Sequence, residues 1–244
     1  FDKFTSSFQF LFTLGLGMLF SYFVVTKVLV GSEGQEGLLL RSSTAPFIFS
    51  FFFGLVLSSV KEPWQRVQSR NFFRYTLCFS AFVLVLVYTT FSFANEGGNN
   101  LLIIGGALAI TAMLLPGISG SLVLLTLGQY TVIANAVHDS DVTVIFYFLC
   151  GGLLGLVTFV PLMNYMLLKY KEDVMSILTG LMLGSLATLW PWKESYDSKG
   201  VSPNLGLNQV LVDFEFMHIL GTFFSGFLGL ILYLSLKKLE ESAK

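Results

Sequence analysis

The sequence predicts an all-α, polytopic membrane protein, and three observations carry that prediction. Of its 244 residues 54% are hydrophobic and only 12% are charged, where a soluble domain carries about 25% charged residues. Mean hydropathy is +0.75. Apolar runs near or above the roughly 17 residues needed to cross a bilayer follow one another almost end to end. The polar connections between them are short, so residues 1–244 read as a single transmembrane domain.

Six runs are long enough to cross: residues 8–30, 44–60, 72–93, 144–168, 174–192 and 214–236. Between the third and fourth lies residues 101–137, whose centre reads MLLPGISGSLVLLTLGQY (113–130). Pro116 removes a backbone donor and Gly117 tolerates turned backbone, so a helix must stop there and restart near Ser121. At about 1.5 Å per residue the two arms, 101–115 and 121–137, reach roughly 22 and 25 Å. A hydrocarbon core is about 30 Å thick. Each arm is therefore better sized to enter and turn back than to cross.

Charge placement agrees with a return path. If 101–137 goes in and comes back, one face collects Lys3, Lys61, Arg66, Arg70, Arg74, Lys169, Lys171, Lys237, Lys238 and Lys244, ten of the fourteen Lys and Arg. The other face keeps Lys27, Arg41, Lys193 and Lys199. A single crossing would make the count seven against seven. The positive-inside tendency favours the return path, with both ends of this chain cytoplasmic and the hairpin entering from outside. Charge alone does not separate a re-entrant loop from a full two-helix hairpin; the short arms and uncharged turn favour re-entrance.

Laid on itself, the chain repeats. At an offset of 138, Phe8, Phe10, Leu11, Leu16 and Gly17 match Phe146, Phe148, Leu149, Leu154 and Gly155. At 126, Ser50, Gly54, Leu55, Leu57, Ser59 and Trp64 match Ser176, Gly180, Leu181, Leu183, Ser185 and Trp190. At 145, Phe79, Ser80, Phe82 and Tyr88 match Phe224, Ser225, Phe227 and Tyr233. Three crossings per half is an odd number, so the halves lie upside down to one another, the inverted-topology plan of many transporters. The first repeat is residues 1–94 and the second 101–236, with its hairpin at 101–137. The plan also implies a first hairpin, missing from this chain, some 22 residues before Phe1.

Broken backbone within a membrane must be surrounded by protein or line a wet cavity. The restarting helix has free N–H groups and a positive dipole end at its tip. With the hydroxyls of Ser119 and Ser121 and the bare backbone of Gly120, it forms a candidate cradle for a phosphate or carboxylate; an ordinary Pro-Gly kink or extracellular turn is the plainer reading. Arg41 and Lys27 lie toward the outer face, where they either attract an arriving anion or snorkel. The phenylalanines of PFIFSFFFG read as packing residues or as a wall for an apolar tail. Trp64, Trp190 and Trp192 read as interface anchors. Gly151 and Gly155 form a small-xxx-small pair for close helix approach.

Other functions are disfavoured. A net charge of −1 argues against nucleic acid as a partner. His138 and His218 are the only histidines, in separate places, and no nucleophile, base and orienter assemble around them. No enzyme, cofactor or metal site is predicted. Cys78 and Cys150 fall in apolar spans and read as packing thiols. All fifteen Asp and Glu lie outside or at the edges of the spans, so no buried carboxylate relay is visible. No feature specifies an oligomeric state.

The segments LLPGISGSLVLLTLGQY, FLCGGLLGL and LTGLMLGSLATLWPW resemble the second half of the bacterial polyprenyl-phosphate translocase family. The likeness spans nearly the whole chain. It implies an inverted-repeat transporter that returns undecaprenyl phosphate, the lipid carrier of cell-wall synthesis, across the bacterial inner (cytoplasmic) membrane. By position, Pro116, Gly117, Ser119 and Gly120 match the family's Pro-Gly-x-Ser-Gly signature, and Gly128 and Tyr130 its downstream end. Ser121 and Leu122 depart from it, standing where many members have Gly and Thr. Together with Arg41 and Ser121 these are the expected substrate-contacting residues, and polyprenyl phosphate and the bilayer are the expected partners. Two other readings use the same residues: a transporter or channel for a small anion, and a non-transporting membrane scaffold.

Overall fold

The computed structural model describes residues 2–29, 31–32, 35–90, 101–196 and 202–242. Its regular structure is helical, apart from a two-residue ladder pairing β1 (Gly31–Ser32) with β2 (Gln35–Glu36) and an isolated antiparallel bridge between Lys193 and Asn204. In chain order the helices are α1 (Asp2–Leu29), α2 (Ala45–Ser59), α3 (Lys61–Gln65), α4 (Phe72–Thr90), α5 (Leu102–Met113), α6 (Gly120–Thr126), α7 (Tyr130–His138), α8 (Val142–Lys169), α9 (Lys171–Ser185), α10 (Leu207–Asp213) and α11 (Phe216–Ser242). A 3₁₀ turn, Leu186–Leu189, extends α9.

Among the described residues, five helical stretches are long and apolar enough to cross a membrane: Ala45–Gln65, Phe72–Thr89, Val142–Lys169, Lys171–Leu189 and Phe216–Ser242. They coincide with five of the six expected spans; residues 91–93, the expected end of the third, lie outside the described residues, as do Lys199 and Lys244. The remaining span, 8–30, falls in α1, where the apolar stretch that qualifies is the shorter Phe12–Ser21. The chain is a multi-pass membrane protein.

Three helix pairings build the body: α2 against α11, α4 against α9, and α5 against α8. Each is made close by glycine, since without a side chain two backbones can approach. A Cβ on Gly54 of α2 would run into the Gly226 carbonyl of α11, and one on Gly180 of α9 into the Cys78 carbonyl of α4. On α8, Gly151 faces the Ile103 carbonyl, Gly152 the side chain of Ile110 and Gly155 the Ala107 carbonyl, which a Cβ at Gly155 would approach to 2.7 Å. Gly151 and Gly155 are thus the close-approach pair expected of them. Side-chain bonds across α2 and α11 add to this: the hydroxyl of Ser50 donates to the Thr222 carbonyl at 2.7 Å and that of Ser225 to the Phe47 carbonyl at 2.7 Å.

Polar contacts gather the charged ends of α3, α4, α9 and α11 on one face. Arg74 pairs with Glu172 and Asp173, each at 2.9 Å, and Lys237 with Glu62 at 2.5 Å. At the opposite ends of α2 and α11, aromatic rings take over. Phe47 lies 4.7 Å from His218, Phe49 5.9 Å from Tyr196 and Phe53 6.4 Å from Trp190, centroid to centroid. Those three phenylalanines are therefore packing residues. Trp192 is a correction: it is 3% exposed, packed between Trp190 and Phe223, and so is a core residue rather than an interface anchor.

Candidate functional site

Helix α5 ends where the sequence requires. Pro116 disfavours helical backbone at Leu115 and offers no N–H of its own, and Gly117 takes φ +89°, a region costly for any residue with a Cβ. The turn lies against the middle of α9: a Cβ on Gly117 would stand 2.6 Å from the Leu181 carbonyl oxygen. On its other side Gly120 is buried against α5, where a Cβ would meet the Ala109 carbonyl at 2.5 Å and the side chain of Met113 at 2.8 Å. The turn is thus clamped between α5 and α9 by its two flanking glycines, while Pro116, Ser119 and Ser121 remain exposed.

Ser119 is the extended residue at the start of α6 (φ −94°, ψ 123°), and its side chain caps none of the helix N–H groups. Its hydroxyl instead meets that of Ser121 at 2.8 Å. The first-turn N–H groups, which have no partner within the helix, thus sit beside two accessible hydroxyls. This arrangement can hydrogen-bond an anion's oxygens.

The second arm differs from expectation. It is not one helix over 121–137 but two pieces, because α6 has only seven residues. Gly128 takes φ +66°; its N–H donates to the Leu125 carbonyl at 3.0 Å and that of Gln129 to the Leu124 carbonyl at 2.9 Å, a Schellman closure. The dipole of so short a helix is small, so the local N–H donors matter more than a macrodipole. Thr126 at the end of α6 is tied to α4 through Tyr88, oxygen to oxygen 3.3 Å.

Of the eight expected site residues, the structure brings together Pro116, Gly117, Ser119, Gly120 and Ser121. Gly128 follows the end of α6 and Tyr130 opens α7, eight and ten residues beyond Gly120. Arg41 is exposed and precedes α2, whose 15 residues span about 22 Å before Ser59 at its far end lines a cavity together with Pro116. The residue between Gly128 and Tyr130 proves unusual. Gln129 is fully buried, and among the described residues neither its Nε2 nor its Oε1 has a hydrogen-bond partner. Its Oε1 fills the space a Cβ on Gly105 would occupy.

A cavity of about 290 Å³ adjoins the turn. Pro116 forms part of its wall, Met175, Leu178 and Met182 of α9 give it an apolar side, and Ser59, Glu62, Pro63 and Arg66 close it from α2, α3 and the residue after. Glu62 accepts from both the Tyr233 hydroxyl and the Lys237 ammonium, each at 2.5 Å. Sequence reasoning used Glu62 and Arg66 only as charges at a span's edge. The signal that they face a pocket is tertiary, since α9 lies more than 100 residues further on. Among the described residues no group of three or more His, Cys, Asp and Glu forms a metal-binding set.

On the far face Lys193 is mostly buried. Its ammonium donates to the Thr188 carbonyl at 2.8 Å and sits 4.6 Å from the centre of the Phe49 ring. Burial holds its pKa below the ordinary lysine value.

The fold and the turn define a helical membrane protein with a hairpin broken at Pro116 and Gly117 and clamped between α5 and α9. Residues 2–203 match the model of the undecaprenyl phosphate translocase-like family, and the chain belongs to that family. It is 36% identical over 149 residues to a polyprenyl-phosphate transporter of Vibrio cholerae serotype O1, a match covering 61% of this chain and 48% of the relative. The matched part thus spans about half the length of that curated relative. No solved structure matches the chain.

Proposed function

We propose that this protein moves a polyprenyl phosphate, undecaprenyl phosphate or a similar carrier lipid, from the outer to the inner leaflet of the bacterial cytoplasmic membrane for reuse in cell-wall synthesis. Family membership and the name of its Vibrio relative support the substrate class. The observation that carries the site is the accessible turn Pro116–Ser121, with uncapped N–H donors and two hydroxyls, clamped against an apolar helix.

In this reading residues 101–137 are re-entrant from outside. Leu181 lies ten residues beyond Lys171, or about 15 Å along α9, which supports a turn near the middle of a core about 30 Å thick. Both ends of this chain are cytoplasmic, and the face carrying Arg66, Arg74, Lys171 and Lys237 is the inner one. Residues 1–94 and 101–236 are inverted repeats. The packing supports that assignment: exchanging α2 with α9 and α4 with α11, as the sequence offsets require, turns the α2–α11 pair into the α9–α4 pair. Ser119, Gly120 and Ser121 hold the phosphate while the halves rock, and the tail stays in lipid. Arg41 meets head groups at the outer face.

The test is leaflet accessibility of a labelled polyprenyl phosphate in proteoliposomes. Ser119 is exposed, so Ser119→Asp adds a repelling charge without disturbing packing, and it is expected to stop movement. Movement at the wild-type rate would remove the turn from the mechanism; flux of small anions without lipid movement would favour an anion pathway instead.

A further inference from the structure

We propose that the cavity beside Pro116 is the inner-side exit site for the lipid head group, and that Arg66 is the residue that binds its phosphate there. This deepens the transport reading and rests on it. Three observations converge on the assignment. The cavity shares Pro116 with the turn proposed to hold the phosphate, so a phosphate released from one has a continuous wall to the other. Its apolar side, Met175, Leu178 and Met182, suits an isoprenyl chain, and its volume is near the lower limit for ligand pockets. The site thus holds a head group and the first part of a tail, with the remainder in lipid.

The third observation is charge. Arg74 is committed to Glu172 and Asp173, and Lys237 to Glu62. The one carboxylate lining the cavity is thereby neutralised, with Tyr233 donating to the same oxygen. Among the described residues Arg66 makes no direct salt bridge, although its charge lies near enough to act on Glu62. Two cations, Lys237 and Arg66, thus face the single carboxylate of the cavity; the excess positive charge falls to Arg66, which has no direct ion pair, and a guanidinium matches phosphate oxygens through parallel N–H donors. The ligand class is therefore a monophosphate joined to an apolar chain; free phosphate lacks the part that the methionines and leucine contact.

Binding to the purified protein in detergent tests this, with farnesyl monophosphate, farnesol and inorganic phosphate as probes. Farnesyl monophosphate is expected to bind more tightly than either of the others. Arg66→Gln should weaken it about tenfold or more and leave farnesol unchanged, Arg66→Lys should retain most of the affinity, and Leu178→Trp, which fills the cavity, should weaken farnesyl monophosphate and farnesol alike. Equal affinity of Arg66→Gln and wild type for farnesyl monophosphate overturns the proposal, as does undiminished binding to Leu178→Trp. The transport reading is judged separately: lipid movement lost in Ser119→Asp with binding unchanged in Arg66→Gln would sink the exit site alone.

Discussion

Gly117 of the broken hairpin lies against the carbonyl of Leu181 in α9, at a backbone φ of +89°, so that a Cβ there would stand 2.6 Å from that oxygen. Both conditions must hold for the turn to sit where it does. Gly117→Ala is therefore expected to cost about 1–3 kcal/mol, the range for a residue held in a disfavoured region, read as a lowered melting temperature in detergent. Ser119→Ala should leave stability unchanged, because the exposed hydroxyl of Ser119 meets only Ser121.

The two reciprocal helix pairs make a matched prediction. Gly54→Ala pushes a methyl into the Gly226 carbonyl, and Gly180→Ala into that of Cys78. Each should destabilise by about 1–3 kcal/mol, as overpacking does, and by similar amounts. Gly15→Ala in α1, with open space around the added carbon, should be neutral or stabilise by up to about 1 kcal/mol. Thermal melts of the three variants decide it.

Gln129 carries two buried polar atoms that are unpartnered among the described residues, a cost of about 1–3 kcal/mol for such a group. Gln129→Met, of similar length without the amide, should raise the melting temperature. Gly105→Ala, which takes the space of the Gln129 oxygen, should lower it.

Lys193 predicts a pH dependence. Its folded pKa lies below its ordinary value because burial disfavours the ammonium. The unfolded chain therefore binds more protons between the two values, and stability rises with pH across that window. The penalty is fully present below the folded pKa and gone above the unfolded one. In Lys193→Met, melting temperatures measured between neutral pH and about pH 10.5 should lose this rise.

Much of the architecture was legible because membrane helices announce themselves by length and apolarity: α2, α4, α8, α9 and α11 each coincide with an expected span. The turn was legible because Pro116 and Gly117 together leave a helix no way to continue. The break at Gly128 was missed although its glycine is a standard helix stop; inside an apolar run it read as part of a longer arm. Trp192 read as an anchor because tryptophan favours interfaces, and only the packing of Trp190 and Phe223 around it reveals a core position. The cavity at Arg66 had no sequence signal, since it forms where α2 and α3 meet α9 and the turn at Pro116, segments far apart in the chain.

The most direct measurement is labelling of Ser119→Cys in proteoliposomes with a small membrane-impermeant thiol reagent, with and without undecaprenyl phosphate; Cys78 and Cys150 are replaced by Ala. A water-reachable turn that binds the lipid's head predicts labelling that the lipid phosphate suppresses and undecaprenol does not. A cysteine that reacts equally with and without the lipid, or that no aqueous reagent reaches from either side, would contradict the account.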